Sequence, residues 1–228
     1  MAIIHHTTLV PTKLELLAAW LPAQPWFAGR GGAAELAKAG GFRLDDPVGE
    51  VGIEFMVVTD GSGGGAAAYL VPMTYRAAAL DGADDGLIGT TQHGVLGRRW
   101  VYDGTHDPVL AAQLVALIQG GAEPQAQSQT DTPDPTVTAS PVTAGSLTVA
   151  EARVAKNGPD GTDLVVGTSG ADGNGRLVIR VRRALKAGED TADEAGQPCV
   201  SAPWRRPDGT VVRGTLAAAR YEPAGATA

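Results

Sequence analysis

The sequence predicts an α+β protein, an antiparallel sheet with packed helices joined to a second, β-rich module. Three observations carry this expectation. A capped amphipathic helix is cut short by Pro22, runs rich in β-formers follow in pairs around glycine turns, and the composition changes abruptly between Ala122 and Gly145.

The elements follow in order. Thr12-Lys13-Leu14-Glu15 has the spacing of a capping box, in which the threonine hydroxyl and the glutamate satisfy free backbone N–H groups reciprocally. Leu14, Leu17 and Leu21 form one stripe of the helix it opens, with Leu16 and Trp20 beside it, and Pro22 ends it. "VGIEFMVVTDG" and "AAAYLVPMTYRAA" read as strands connected through "DGSGGG", and "GLIGTTQHGVLGRRWVYDG" as a shorter pair. Asp107-Pro108 caps a second helix, which buries Val109, Leu110, Leu114, Leu117 and Ile118 and ends at Gly120-Gly121. Residues 1–121 are therefore expected to form one α+β unit.

Residues 122–145 contain four prolines, no aromatic residue and many Gln, Ser and Thr. Such a composition buries too little apolar surface to offset ordering entropy, so a linker or long mobile loop is expected. Beyond it, "SLTVAEARVAK", "TDLVVGTS", "RLVIRVRRAL" and "TVVRGTLAAARYEP" read as the strands of a module spanning 146–228.

Composition narrows the function. A net charge of −7 argues against nucleic acid or an anionic membrane as partner. No apolar run approaches the ~20 residues of a membrane span, and "MAIIHHTTLVPTK" lacks the features of a signal peptide, so a cytoplasmic location is expected. The single cysteine, Cys199, excludes an internal disulfide framework and a cysteine-built metal site. The four histidines, His5, His6, His93 and His106, show no zinc-ligand spacing, and no metal is expected. "GADGNG" leads into a strand rather than a helix, so it is no dinucleotide fingerprint. Neither a GxSxG nucleophile elbow nor a GxxxxGK[ST] loop occurs. The acidic pairs Asp45-Asp46, Asp84-Asp85 and Asp131/Asp134 fall in loops and read as solvated. "LVIRVRRALK" concentrates Arg180, Arg182, Arg183 and Lys186. Alternation places Arg180 and Arg182 on one face, either solvated or in contact with an anion, with Ile179 and Val181 on the other.

One stretch is more specific. "WLPAQPWFAGRGG" resembles the "WLPxQRWFxGKxR" signature that opens the N-terminal cap of bacterial maltokinases. Trp20, Leu21, Pro22, Gln24, Trp26, Phe27, Ala28 and Gly29 match, Arg30 replaces a lysine, and Pro25 and Gly32 replace basic residues. "AYLVPMTYR" resembles the cap's "YxVPLxYR", "LIGTT" its next strand, and "WVYDGTHDPVLAAQLVALI", with Tyr102 and Asp103, its "xVYDAxxDPxFxxxLL". The resemblance covers residues 12 to 120 and implies a curved, cystatin-like sheet. A helix stopped by proline and followed by Trp26-Phe27 reads as a packing corner, with carbohydrate stacking on Trp26 as the alternative.

More faintly, "IRVRRALKAGEDTADE" resembles the kinase N-lobe strand pattern "LKVFRRLxPGxNPDxE", with Arg180 at the phosphate-contact lysine and Glu194 at its glutamate partner. "GTLAAARYEPAG" resembles the strand leading to the interlobe hinge. The family's "HGDxHxxN" loop and magnesium-binding aspartate are absent, and "KNGPDGTD" stands where its nucleotide loop would be. Phosphoryl transfer depends on those groups, so no catalysis and no cofactor are expected, and the chain is expected to end at the hinge. The resemblance implies a non-catalytic accessory or regulatory protein beside α-glucan, maltose or trehalose metabolism, working with a protein partner. The alternatives are a nucleotide- or sugar-binding module that keeps affinity for ATP through Arg180 and Glu194, and a subunit of a split sugar kinase.

Overall fold

The computed structural model describes residues 8–29, 34–62, 67–140, 147–170, 173–188 and 197–223. In chain order the strands and helices are β1 (Leu9–Val10), α1 (Lys13–Trp20), β2 (Leu36–Leu44), β3 (Gly52–Asp60), β4 (Ala67–Arg76), β5 (Leu87–His93), β6 (Gly97–Asp103), α2 (Pro108–Ile118), β7 (Gln125–Ala126), β8 (Thr138–Ala139), β9 (Leu147–Gly158), β10 (Gly161–Gly170), β11 (Gly173–Val181), β12 (Ala184–Leu185), β13 (Cys199–Arg205) and β14 (Val211–Pro223). Among the described residues the protein is thus mostly antiparallel sheet, with two α-helices.

Both helices start as their sequences require. Thr12 and Glu15 form the reciprocal capping box of α1, and Asp107 accepts the Val109 N–H at the start of α2, with Pro108 in the first turn. The strands run in one continuous order, β1-β5-β6-β4-β3-β2-β13-β14-β11-β10-β9. β2 to β6 make the first half of this sheet, and β9, β10, β11, β14 and β13 the second. The two meet where Trp204 of β13 pairs with Gly40 of β2.

β3 is buried along nearly its whole length because both its faces are covered. Met56 and Val58 face α1, together with Leu17, Leu21, Trp26, Tyr69, Val71, Met73 and Val101. Ile53, Phe55 and Val57 join the larger core, which takes Leu110, Leu114 and Ile118 from α2 and Val166, Ile179, Trp204 and Leu216 from the second half. Phe42 and Phe55 stack at its centre, ring centroids 4.6 Å apart. One apolar core therefore serves both halves of the chain.

β4 explains how they interlock. One edge pairs with β3 throughout. The other is divided: β12 pairs with Ala68 and Tyr69, whereas β6 pairs from Met73 to Arg76. Leu70 donates to the Arg183 carbonyl at 2.9 Å. Pro72, which has no N–H to offer, sits in the interval between the two partners.

The segment whose composition reads as a linker lies against the sheet over its described part, 122–140. β7 pairs with Phe42 and Arg43, β8 pairs with Val200 and Ser201, and Val137 enters the large core. The sequence pattern did not single out β2 or β13. Glycine hides β2 from a pattern reading, yet a Cβ at Gly40 would lie 3.1 Å from the Pro203 carbonyl, so this residue type admits β13. Gly41 has φ +127, and a Cβ there would fall 2.0 Å from the Phe55 carbonyl oxygen.

Gly41→Ala is therefore expected to destabilise the protein by well over ~1 kcal/mol, the scale of a purely conformational glycine effect. Gly49→Ala, also at positive φ but with nothing within 4 Å of the new Cβ, is expected to lose much less. Urea midpoints of the two variants check this, and equal losses would contradict the close approach.

Candidate functional site

The aromatic corner is built by local chain geometry. Where α1 ends, a tight turn over Leu21–Ala23 follows with Pro22 at its centre, and the Phe27 N–H donates to the Gln24 carbonyl at 3.0 Å. Gln24 also reaches back, its Nε2 lying 3.4 Å from the Trp20 carbonyl. This places Trp26 between Trp20 and Tyr69, with ring centroids 5.8 and 5.9 Å away. Phe27 packs on Tyr69 at 5.2 Å, and the Ala28 N–H donates to the Tyr69 hydroxyl at 3.1 Å. Gly29 lies against the Phe27 ring, where a Cβ would come within 2.1 Å. Trp26 is only 3% exposed, so its ring is a packing element and offers no face to a sugar. Arg30 lies outside the described residues.

The "VYDGTHDP" stretch folds into a second corner held by the side chains of Tyr102, Asp103, Thr105 and Asp107. Tyr102 accepts the Leu80 N–H at 2.9 Å. Asp103 Oδ1 accepts from the Thr105 N–H at 3.1 Å and its hydroxyl at 2.9 Å. Asp107, besides capping α2, takes a two-pronged bond from Arg76 at 2.6 and 2.7 Å. Hydrogen bonding to this carboxylate raises the Arg76 pKa.

Arg183 joins the two corners. It is fully buried, donating from Nη2 to Asp103 Oδ2 at 2.5 Å and to Thr105 Oγ1 at 3.1 Å, and from Nε to Thr162 Oγ1 at 2.8 Å. Its guanidinium carbon stands 5.1 Å from the Trp26 ring centroid, a cation–π contact out of water. Nη1 and the Trp26 indole N–H are buried without an acceptor among the described atoms. Sequence reasoning grouped Arg183 with its neighbours as a basic run. The break in alternation after Val181, where the chain leaves β11 and turns to β12, was the one signal that its side chain goes elsewhere.

A second buried charge also escaped the pattern. Glu54, the one acid inside the apolar run of β3, is 3% exposed. It accepts from Lys13 Nζ at 2.6 Å, from the Tyr75 hydroxyl at 2.7 Å and from Gln127 Nε2 at 2.9 Å. Burial pushes its pKa up, but Lys13, Tyr75 and the more distant Lys38 outweigh that and hold it below the usual carboxylate value. The same burial and the Glu54 charge drive Tyr75 well above the ordinary phenol range. Glu54 thus ties α1 and the 122–140 segment to the sheet.

Arg180 lies apart from all of this. Its side chain is on the outer face of β11, opposite the buried Ile179 and Val181, and forks onto Asp163 of β10 at 2.7 and 2.8 Å. That pairing lowers the Asp163 pKa. Glu194 lies outside the described residues, as do His5 and His6. His93 Nδ1 accepts from the Val95 and Leu96 N–H groups and so shapes the β5–β6 turn. Among the described residues no cluster of three or more His, Cys, Asp or Glu could hold a metal ion, and no helix is long and apolar enough to cross a membrane.

Removing one member of a buried ion pair strands the other. Arg183→Leu and Asp103→Leu are each expected to cost about 3–5 kcal/mol, and the double variant much less than their sum. Urea unfolding of all four proteins checks this, and strict additivity would contradict the pairing. For Glu54 the folded pKa lies below the unfolded one, so its stabilisation is full above the ordinary carboxylate pKa and is lost as pH falls through the folded value. Glu54→Gln is expected to be less stable than wild type at neutral pH, with the gap narrowing on acidification. A constant gap would show that the Glu54 charge does not matter.

Residues 20–107 match the family model of the maltokinase N-terminal cap domain. The match begins at Trp20, ends at Asp107, and covers less than half of the chain. No curated protein matches the sequence. The aromatic corner, the divided strand β4 and the Asp103–Asp107 corner all fall within the residues that are similar to the maltokinase N-terminal cap domain.

Proposed function

We propose that the chain is a non-catalytic accessory or regulatory protein of the maltokinase-cap type, acting in the cytoplasm beside α-glucan, maltose or trehalose metabolism in company with an enzyme of that metabolism. The observation that carries this reading is where the polar groups of the cap signature point. Asp103 is bonded to Arg183, Asp107 to Arg76, and Trp26 is buried beneath Arg183, so these side chains hold the fold together rather than face a substrate.

Two further features support it. The sequence contains no His-Gly-Asp-x-His run and no histidine two residues before an aspartate, the groups that phosphoryl transfer in this family would use. Arg180, which the sequence resemblance aligns with a kinase N-lobe's phosphate-contact lysine, lies on the third strand of the second half, and its guanidinium is engaged by Asp163. That strand position favours reading the second half as a degenerate N-lobe. It also keeps a split sugar kinase, its catalytic lobe on another chain, as the second reading.

A coupled assay for ADP with pure protein, Mg-ATP and maltose or trehalose tests the first reading. No sugar-dependent ADP release is expected. Phosphorylated maltose among the products would overturn it.

A further inference from the structure

β9 is the last strand of the sheet, and among the described residues no strand pairs with its outer edge. β10 takes the other edge along the whole strand. At the start of the open edge the Gln119 amide meets the Leu147 backbone, accepting its N–H at 2.6 Å and donating to its carbonyl at 3.1 Å. Beyond that point a row of main-chain donors and acceptors is left for water or for another strand. Two register slips against β10, at Ala150 and at Ala155, bracket the stretch Glu151–Val154. Bulges bend a strand and limit what can pair with it, so a second strand lies flat only between them.

The side chains of that stretch divide by face. Ala152 and Val154 pack toward the large core, whereas Glu151 and Arg153 are exposed on the outer face. Glu151 leans over Gly167 of β10, where a Cβ would meet its Cγ at 3.0 Å. Neighbouring charges of this face are satisfied within the chain, Arg180 by Asp163, and Arg176 and Arg220 by Glu222. Glu151 and Arg153 have no such partner among the described residues. An acid and a base two positions apart on an open edge are self-complementary under two-fold symmetry.

We propose that β9 pairs antiparallel with β9 of a second copy, about a two-fold axis at Ala152. In that register Glu151 of each protomer lies directly opposite Arg153 of its partner, and Ala152 opposes its own copy. Axes at the flanking residues fail, because two carboxylates face each other at Glu151 and two guanidiniums at Arg153. With the axis at Ala152, both charges of the stretch meet their opposites. Main-chain hydrogen bonds supply the attraction and the charges fix the register. The sheet of the second half then runs on across the dimer, and neither copy keeps a free β9 edge. This pairing does not rest on the accessory role proposed above, and its failure leaves that role standing.

Light scattering on the full chain, from ~10 µM to ~1 mM, tests it. A monomer–dimer equilibrium with Kd below about 200 µM is expected. Glu151→Arg and Arg153→Glu each set like charges opposite one another twice per dimer, and each is expected to weaken association about tenfold or more. An equimolar mixture of the two variants is expected to recover the dimer, because every residue 151 then meets a residue 153 of opposite sign. The double variant is expected to recover it for the same reason. Both positions are exposed, and circular dichroism confirms that the variants fold. Absence of dimer at ~1 mM overturns the proposal, as does association that either single substitution leaves intact. Failure of the mixture or of the double variant to recover the dimer overturns the register at Ala152. Masses beyond the dimer would mean an open, head-to-tail contact and overturn the two-fold pairing.

Discussion

The divided edge of β4 is the constraint on which the rest of the structure depends. A strand in the middle of a sheet must satisfy its backbone on both sides. Here one side is shared between β6 of the cap and β12 of the second half, with Pro72 in the interval. The end of β6 and the chain entering β12 are thereby brought close, and Asp103 and Arg183 meet where they do so. A guanidinium fully out of water is tolerable only if most of its donors are met. Asp103, Thr105, Thr162 and the face of Trp26 meet them from three separate stretches of chain.

From that junction follows the two-sided burial of the cap sheet. With α1 on one face and α2 and the second half on the other, β3 has no solvated side, and its sequence reads as a run rather than an alternation. Charges on such a strand need partners of their own. Glu54 finds them in Lys13, Tyr75 and Gln127, which is why the N-terminal helix and the segment after α2 are fastened at the same point. Buried charges at Glu54 and at the Asp103–Arg183 pair thus fasten the cap alongside its apolar contacts.

What the sequence discloses and what it hides divide along contact range. The capping box at Thr12, the proline stop at Pro22, the Asp107-Pro108 start of α2 and the outward face of Arg180 are local facts, and each is legible within a few residues. The Trp26 corner is legible as packing because prolines and a glycine surround it. Arg183 and Glu54 are not, since their partners lie 80, 41 and 73 residues away and no spacing rule reaches so far. The 122–140 segment is obscured for another reason. Its mean composition is that of a linker, but Val137 and two short strand pairings suffice to seat it once sheet edges exist to receive them. β2 and β13 are masked by the glycines and the proline that let them approach.

The central claim is that the cap and the second half are one cooperative unit fastened through Arg183. Native-state hydrogen exchange across a urea series tests it most directly, because it reads opening free energies strand by strand. The account predicts that the amides of β3 and β4 and those of β10 and β11 converge on one global opening free energy. Two separate plateaus, with β10 and β11 opening while β3 and β4 remain protected, would contradict it.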